Sequence, residues 1–458
     1  MDAFKKFLRW LEVDRAVMFA VLSKVWSLFA APITLLLIAY FLVPEVQGFY
    51  YTFLSLIALQ SFVGLGFYIV ITQFASYEWA NLSLDDAGYI SGDEKARLRL
   101  ISLGRLVFKW YAWASAIFVL LVGAGGYLFL SQSPDPGISW KSPWFFLVVV
   151  AGLQFWALPF LSLLEGCNQV HTIYRFRFIQ GIISSLAIWL TLLWDFGLWM
   201  AVVGLGAGLL SSLYLLLVFY KNFFQPFFTI KPEEGIQWRE EIWPMQWRLA
   251  LGGSMSYFMV SIYTPVLFHY HGPVVAGKMG MTWQLVAALG SLAMAWVATK
   301  VPRFGILIAQ KNYAELDRFF FRTSSISMGV ISLGAVLLWL LVYGLNYFEH
   351  PLAQRLLSPF PFGLFIAGTV LGQIIQCQTA YLRAHKKEPF LIYALVYGFS
   401  NGILVWFLGS RFGAIGASAG YLLVMSLVAV PMASYIWIKY RKKWHSDNPL
   451  VAVATKNH

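Results

Sequence analysis

A lysine lies within the first long apolar stretch of the chain. Residues 16–43 read AVMFAVLSKVWSLFAAPITLLLIAYFLV, and Lys24 is the one charged residue in this segment. A charged side chain at the centre of a membrane helix costs about 2.5–3.5 kcal/mol on insertion scales. The lysine ammonium offers three hydrogen-bond donors in a compact charge, which suits the oxygens of a phosphate group. Lys24 therefore either binds an anionic group or snorkels to the membrane interface as an anchor.

Small and polar residues recur around Lys24 at three- or four-residue spacing and form one stripe along a helix. Segments 247–270 and 359–382 carry similar stripes. Polar groups at membrane depth avoid lipid and meet each other or water, although small residues also permit close helix packing. The stripes predict a water-filled substrate cleft lined by Lys24, Ser27, Thr34, Ser254, Tyr257, Ser261, Gln373 and Gln376.

Carboxylates are placed differently from these polar stripes. Glu165 and Asp195 sit at the ends of apolar segments, and no carboxylate lies in the middle of one. A proton- or sodium-driven antiporter usually needs an intramembrane carboxylate that can hold and release the coupling ion. The pattern therefore disfavours a cation-coupled drug antiporter and favours an anionic substrate.

Catalytic and metal-binding patterns are not evident. His269 and His271 in FHYHG lack further ligands at metal-site spacing, and Cys167 and Cys377 form no CxxC motif. The outer loops are short, and they offer neither paired carboxylates nor a nucleophile beside a base. We expect no catalytic residues, no metal site and no cofactor.

The elements that must position these residues follow from composition. The 458 residues are 59% hydrophobic and only 12% charged, and the mean hydropathy is +0.68. A soluble surface needs about twice that charged fraction. An apolar run of about 20 residues crosses a bilayer as a helix, so the chain is predicted to be an all-α polytopic membrane protein. Its twelve predicted spans are 16–43, 47–75, 105–131, 143–167, 176–196, 198–222, 247–270, 274–302, 323–347, 359–382, 388–409 and 412–438.

The basic residues predict the orientation of these spans. Only four of the 33 Lys and Arg residues fall at the odd-numbered connections, namely Lys141, Lys278, Arg355 and Arg411. By the positive-inside rule, both termini are cytoplasmic in a cell (inner) membrane. The net charge of +12 is then an anchor for anionic lipids and does not indicate nucleic-acid binding.

An internal repeat predicts how the spans are grouped. LEGCNQVHTIYRFRFIQGIISSLAIWL at 164–190 is loosely similar to LRAHKKEPFLIYALVYGFSNGILVWFL at 382–408. Six spans per half give a parallel repeat, with two six-helix lobes around a central cleft. The predicted domains are an amphipathic interfacial helix (1–15), an N-lobe (16–222), a cytoplasmic linker (223–246), a C-lobe (247–440) and a basic cytoplasmic tail (441–458).

Two motifs carry a resemblance to a known family. LIAYFLVPEVQGFYYTFLSLIALQSFVGLGF at 37–67 looks like the first hairpin of polysaccharide transporters, and ATKVPRFGILIAQKNYAELDRFF at 298–320 is similar to a cytoplasmic helix of that family. With the span count and the repeat, the chain resembles the MOP exporter superfamily, in its lipid-linked oligosaccharide flippase branch.

The resemblance implies a function. The expected protein flips a polyprenyl-pyrophosphate saccharide by alternating access, and glycosyltransferases or a polymerase of the same pathway are expected partners. Two alternatives remain open, namely export of a small amphipathic solute and a non-flipping membrane subunit of a polysaccharide synthase complex.

Overall fold

The computed structural model describes residues 15–133, 137–232, 236–385 and 389–446. The predicted interfacial helix 1–15 lies outside the described residues apart from Arg15, and so does the end of the predicted tail from residue 447 onward. The chain divides into two compact units at Ser254–Met255. The first unit ends at Ser254, the second unit begins at Met255, and each is described by itself below.

The first unit is built from long helices. Several begin at residues suited to a helix start, since Pro44 opens α2 and the Asp93 side chain caps α5 by accepting from the Ala96 N–H. The helices are α1 (Arg15–Phe41), α2 (Pro44–Ile57), α3 (Gln60–Gly64), α4 (Phe67–Trp79), α5 (Glu94–Leu130), α6 (Lys141–Gly166), α7 (Val170–Leu193), α8 (Trp199–Tyr214), which continues as a π-helical turn over Leu215–Phe219, and α9 (Lys221–Thr229).

A short hairpin joins α4 to α5. Strands β1 (Leu82–Leu84) and β2 (Ile90–Gly92) pair antiparallel, with Ser83 opposite Ser91. The Asp85 carboxylate accepts from the backbone N–H of Ala87 and of Tyr89, which closes the turn. The sequence predicts only a connection between two spans here, and the structure adds the hairpin.

Close packing of α5 on α6 depends on small residues, as is usual between membrane helices. The Ser115 hydroxyl donates to the Gly152 carbonyl at 2.6 Å. The indole of Trp144 lies over α5 and donates to the Gly123 carbonyl at 3.1 Å. A Cβ added at Gly126 would lie 2.1 Å from the Trp144 ring, so only glycine fits at this position.

Residues of the predicted linker 223–246 pack on the first unit. Phe223, Phe224 and Phe227 of α9 are buried in its core, where the ring of Phe108 stacks on that of Phe160 with centroids 3.9 Å apart. Helix α9 therefore packs on the first unit through an aromatic cluster. The predicted lobe boundaries stay predictions.

The second unit is also helical, and it begins within a helix that starts in the first unit. That helix is α10 (Trp243–Val260), and a π-helical turn over Trp238–Ile242 precedes it. The elements that follow are α11 (Tyr263–Ala298), α12 (Val301–Ala309), α13 (Tyr313–Tyr347), a 3₁₀ turn (Pro351–Arg355), α14 (Pro359–Ala384), α15 (Leu391–Val424), a π-helical turn (Met425–Ala429) and α16 (Val430–Ser446).

Ten helical segments of the described chain are long and apolar enough to cross a membrane. Two of them, Trp238–Ala309 and Leu391–His445, each contain a glycine with a positive φ, at Gly272 (83°) and Gly413 (61°). The break at Gly272 falls within the predicted connection 271–273, and the break at Gly413 lies two residues beyond the predicted connection 410–411. Each of these two segments therefore corresponds to two predicted spans, whereas Pro44–Gly64 covers only the first part of the predicted span 47–75. The predicted fold class, an all-α polytopic membrane protein, is confirmed.

Two predicted spans are interrupted. In span 47–75, α2 ends at Ile57, and Leu65 and Gly66 both have a positive φ between α3 and α4. Span 247–270 was expected to be continuous, but α10 ends at Val260 and α11 begins at Tyr263. Pro265 has no N–H to donate to the carbonyl of Ser261 and its ring crowds that carbonyl, which disfavours a regular helix at this point. The Phe258 carbonyl accepts a hydrogen bond from the Asn401 amide at 2.6 Å.

Candidate functional site

Helix α1, which carries Lys24, packs against α7. The Trp26 indole donates to the Ser185 hydroxyl at 3.3 Å, and the Trp189 indole donates to the Thr34 hydroxyl at 2.8 Å. Thr34 also donates to the Ala30 carbonyl. The hydroxyl of Thr34, a predicted cleft residue, is thus engaged in contacts within the first unit.

Lys24 and Ser27 lie on an exposed part of α1. The Ser27 hydroxyl donates to the Ser23 carbonyl at 2.8 Å, one turn earlier in the helix. Among the residues that the structure describes, the Lys24 ammonium has no ion-pair partner. The charge is therefore available to a ligand or to a lipid head group.

The first unit contains a cavity of about 380 Å³, here called the first-unit cavity. One face of α7 forms one wall and a face of α8 rich in small residues forms another, with contributions from α2 and α6. Its lining residues are Tyr50, Leu54, Gln154, Arg177, Gln180, Gly181, Ser184, Ile188, Met200, Ala201, Gly204, Leu205 and Gly208.

Arg177 is the only charged residue among those that line the first-unit cavity. Its guanidinium forms an ion pair with Glu165 at the end of α6 and lies 5.5 Å from the ring centroid of Tyr174. The Gln180 amide donates to the Gly208 carbonyl at 2.8 Å. The amide oxygen of Gln154 is buried without a hydrogen-bond partner in the described chain. The cavity thus presents one cation and an unused acceptor.

The second unit contains a cavity of about 450 Å³, here called the second-unit cavity. It is lined by Met259, Val260, Trp283, Val286, Ala287, Gly290, Ser291, Met294, Phe365, Thr369, Gly372, Gln373, Ile375, Gln376, Tyr393, Tyr397, Tyr421 and Met425. None of these residues carries a charge at neutral pH.

An aromatic cluster forms one wall of the second-unit cavity. The ring centroids of Trp283 and Phe365 are 5.2 Å apart, and those of Phe365 and Tyr421 are 4.9 Å apart. Tyr263 packs behind Trp283 at 5.3 Å. Such flat, rigid faces bind apolar surfaces at a low cost in conformational entropy.

The second-unit cavity is also lined by polar groups, namely glutamine amides and tyrosine hydroxyls. Gln373 is buried, and its amide nitrogen donates to the Ser327 hydroxyl at 2.8 Å. Gln376, one helical turn further along α14, is exposed in the cavity lining. Within the described residues no partner is found for the Gln376 amide or for the hydroxyls of Tyr393 and Tyr397. These neutral donors and acceptors can hydrogen-bond a polar, uncharged ligand.

The predicted site residues are therefore only partly brought together. Gln373 and Gln376 line the same cavity. Ser254, Tyr257 and Ser261 line neither cavity, although Met259 and Val260 beside them do. The Ser254 hydroxyl donates to the Ala250 carbonyl, Tyr257 is buried, and Ser261 lies in the break between α10 and α11. Lys24, Ser27 and Thr34 also lie outside both cavities.

Several lining residues were not predicted. Arg177, Gln180, Ser184 and Ile188 follow one face of α7 at three- and four-residue spacing, and this spacing was the signal that could have revealed them. Instead, Arg177 contributed only to the count of basic residues. Tyr393 and Tyr397 show the same four-residue spacing on α15.

Carboxylates of the described chain lie outside the lining of both cavities. Near the membrane-spanning helices, Glu78 and Glu241 both pair with Arg99, at 2.8 and 2.7 Å. Glu241 lies between the sixth and seventh predicted spans, and its pKa is lowered first by the Gln237 N–H and then by Arg99. Asp317 pairs with Arg441 at 2.5 Å. These acidic groups form ion pairs that connect the ends of helices.

The fold defines the class of protein, a multi-pass α-helical membrane protein, and comparison with solved structures defines it further. An inward-facing multidrug resistance MATE family transporter of the MOP superfamily has a TM-score of 0.60 and 13% identity, over 94% of this chain and 96% of that chain. The lipid II flippase MurJ, in an inward closed conformation, has a TM-score of 0.58 and 13% identity, over 94% and 90%. A mutant of the Vibrio cholerae MATE transporter VcmN has a TM-score of 0.54 and 13% identity, over 98% and 99%.

The chain therefore has the fold of the MOP transporter superfamily, and the resemblance found in the sequence is confirmed at the level of the fold. No protein-family model matches the sequence, and no curated protein matches it significantly.

Proposed function

We propose that this protein flips a lipid-linked saccharide, with a polyprenyl-pyrophosphate carrier, across the cytoplasmic (inner) membrane by alternating access. The observation that carries the proposal is the lining of the second-unit cavity. An aromatic wall faces neutral amides and hydroxyls, with no charged residue among the described lining. Sugar rings present apolar C–H faces and many hydroxyl groups, so this combination suits them.

The distribution of charge adds support. A proton- or sodium-driven antiporter usually needs a carboxylate that can titrate within the membrane. In the described chain, neither cavity contains one, and one cavity contains an arginine. An anionic carrier lipid with an uncharged saccharide is compatible with both cavities. We assign no catalytic role to the protein.

The MOP fold also suits the proposed substrate. The lipid II flippase MurJ has the same fold. In our proposal both termini are cytoplasmic, Lys24 is exposed to the head group of the substrate, and glycosyltransferases or a polymerase of the same pathway supply or consume the saccharide.

Translocation in vesicles tests the proposal. Purified protein is reconstituted into liposomes with a polyprenyl-pyrophosphate oligosaccharide that carries a labelled sugar, and the label is followed from one leaflet to the other. We expect protein-dependent translocation. The Gln376→Ala variant should slow it severalfold, because it removes a cavity amide.

Gln310→Ala is the matched control. Gln310 is also an exposed glutamine of the second unit, but it follows α12 and lines neither cavity. Its translocation rate should equal that of the wild type. The absence of translocation with a panel of such lipids would refute the proposal. Export of a small amphipathic solute, or copurification with a glycosyltransferase without translocation, would then identify one of the alternatives.

A further inference from the structure

We propose that the first-unit cavity binds the phosphorylated head of an amphiphilic molecule, with Arg177 as the cation that contacts the phosphate oxygens. The inference rests on the proposed function, because a pyrophosphate-linked lipid is such a molecule. It goes beyond the sequence analysis, which assigned the anion only to Lys24.

The lining of the first-unit cavity changes from polar to apolar along its length. Arg177, Gln180 and Ser184 follow each other on successive turns of α7, and Ile188 comes one turn later. On α8, Gly208 lies beside Gln180, while Gly204 lies beside Ile188. Because the two helices run in opposite directions here, Met200 and Ala201 lie still further from the arginine. The cavity thus has a polar end at Arg177 and an apolar end beyond Ile188.

This gradient matches a molecule with an anionic head and an aliphatic chain. A guanidinium can make two parallel hydrogen bonds to a phosphate group, and such charge-assisted bonds are the strong ones. The free amide oxygen of Gln154 can accept a hydrogen bond from a neighbouring hydroxyl of the ligand. A molecule with a cationic head would instead meet the charge of Arg177.

Glu165 acts as the internal counterion in this arrangement. Its carboxylate pairs with Arg177 and does not line the cavity, and the Arg177 side chain remains 41% exposed. The carboxylate occupies part of the guanidinium that a phosphate would use. An incoming phosphate therefore competes with Glu165 for Arg177, and the ion pair re-forms when the ligand leaves.

The absence of a side chain at Gly208 leaves space for the head group of the ligand. A Cβ at this position would lie 2.9 Å from the Gln180 amide nitrogen and 3.7 Å from the Ser184 hydroxyl. A methyl group would therefore intrude among the polar groups next to Arg177. Gly206 on the same helix has open space around its Cβ position, with no atom within 4 Å.

Binding of inorganic pyrophosphate tests the inference. Full-length protein in phosphatidylcholine nanodiscs is titrated with pyrophosphate by calorimetry. We expect saturable binding that weakens roughly 10- to 100-fold in Arg177→Gln, the range for loss of a hydrogen bond to a charged group. Arg177→Lys should retain part of the affinity because it keeps the charge. Glu165→Gln should bind pyrophosphate more tightly, because the competing carboxylate is removed.

Two matched controls separate binding from folding. Arg175→Gln removes an exposed arginine two residues earlier on α7, outside the cavity lining, and should leave the affinity unchanged. Gly208→Ala should weaken binding, whereas Gly206→Ala should not. If Arg177→Gln binds like the wild type, or if Glu165→Gln does not bind more tightly, the inference is overturned.

Two further arms identify the source of the phosphate. Farnesyl pyrophosphate should bind more tightly than inorganic pyrophosphate, because its chain can occupy the apolar end. If nanodiscs with phosphatidylglycerol abolish pyrophosphate binding, the site holds bulk anionic lipid and the inference about the substrate head is overturned. If the wild-type protein binds pyrophosphate but does not translocate the labelled lipid, only the proposed function is refuted. If it translocates the lipid but does not bind pyrophosphate, only this inference is refuted.

Discussion

Asn401 holds the interruption between α10 and α11, and its removal provides a quantitative test of the structure. The side chain is fully buried. Its amide nitrogen donates to the Phe258 carbonyl at 2.6 Å, and its oxygen accepts from the Tyr263 hydroxyl at 2.9 Å. Both partners come from the interrupted span, on either side of the break, so one residue of α15 bridges two helix ends.

The cost of Asn401→Ala follows from these two hydrogen bonds. Side-chain hydrogen bonds in membrane proteins contribute about 0.6 kcal/mol on average and about 1.7 kcal/mol at most. Because the Asn401 side chain is fully buried, we expect a loss near the upper end for each bond. The free energy of unfolding should fall by about 2 kcal/mol in Asn401→Ala and by about 1 kcal/mol in Tyr263→Phe.

Equilibrium unfolding of the purified protein in mixed micelles measures these changes. The double variant of Asn401 and Tyr263 should be less destabilised than the sum of the single variants, by about 0.5–1.7 kcal/mol, because they share one hydrogen bond. Ser418→Ala is the control on the same helix, since this buried hydroxyl has no partner within the described chain. Ser418→Ala should leave the free energy of unfolding unchanged.

Transport adds a second measurement for Asn401. Met259 and Val260, at the end of α10, line the second-unit cavity, so a change at the break should alter the cavity as well as the stability. We expect Asn401→Ala to lower the translocation rate severalfold. The reasoning is refuted if this variant unfolds within about 0.5 kcal/mol of the wild type or if the two substitutions are strictly additive.

Two other positions give independent tests. In cells lacking the native protein, Lys24→Ala should lose polysaccharide surface display at equal membrane abundance, Lys24→Arg should retain part of it, and Lys24→Glu should be the most defective because it repels an anionic head group. Full complementation by Lys24→Ala would show that the lysine is only an interfacial anchor. Gly126→Ala should destabilise the protein by about 1–3 kcal/mol, because the added methyl overlaps the Trp144 ring. Gly125→Ala, which meets no atom within 4 Å, should be neutral or slightly stabilising in the same unfolding assay.

Apolar length and composition determined the class of protein and the membrane spans. A bilayer imposes helices on any long apolar segment, because each backbone polar group needs a partner within its own span. For the same reason the sequence located the short connection that the structure shows as a break at Gly272, and it placed the next one two residues before the break at Gly413. The shared placement of Gln373 and Gln376 also follows from their spacing on one helix.

Only the tertiary structure decided which polar residues face a cavity. Arg177 is one basic residue among many in the sequence, and it becomes distinctive because it lines a cavity together with Gly208 of α8 and Gln154 of α6. Conversely, the Thr34 hydroxyl has a suitable position on its helix but is engaged by Trp189 of α7. Helical spacing shows which residues share a face, whereas the neighbour of that face depends on contacts between residues far apart in the chain. Asn401 shows this most directly, because it supports a break in a helix more than a hundred residues away.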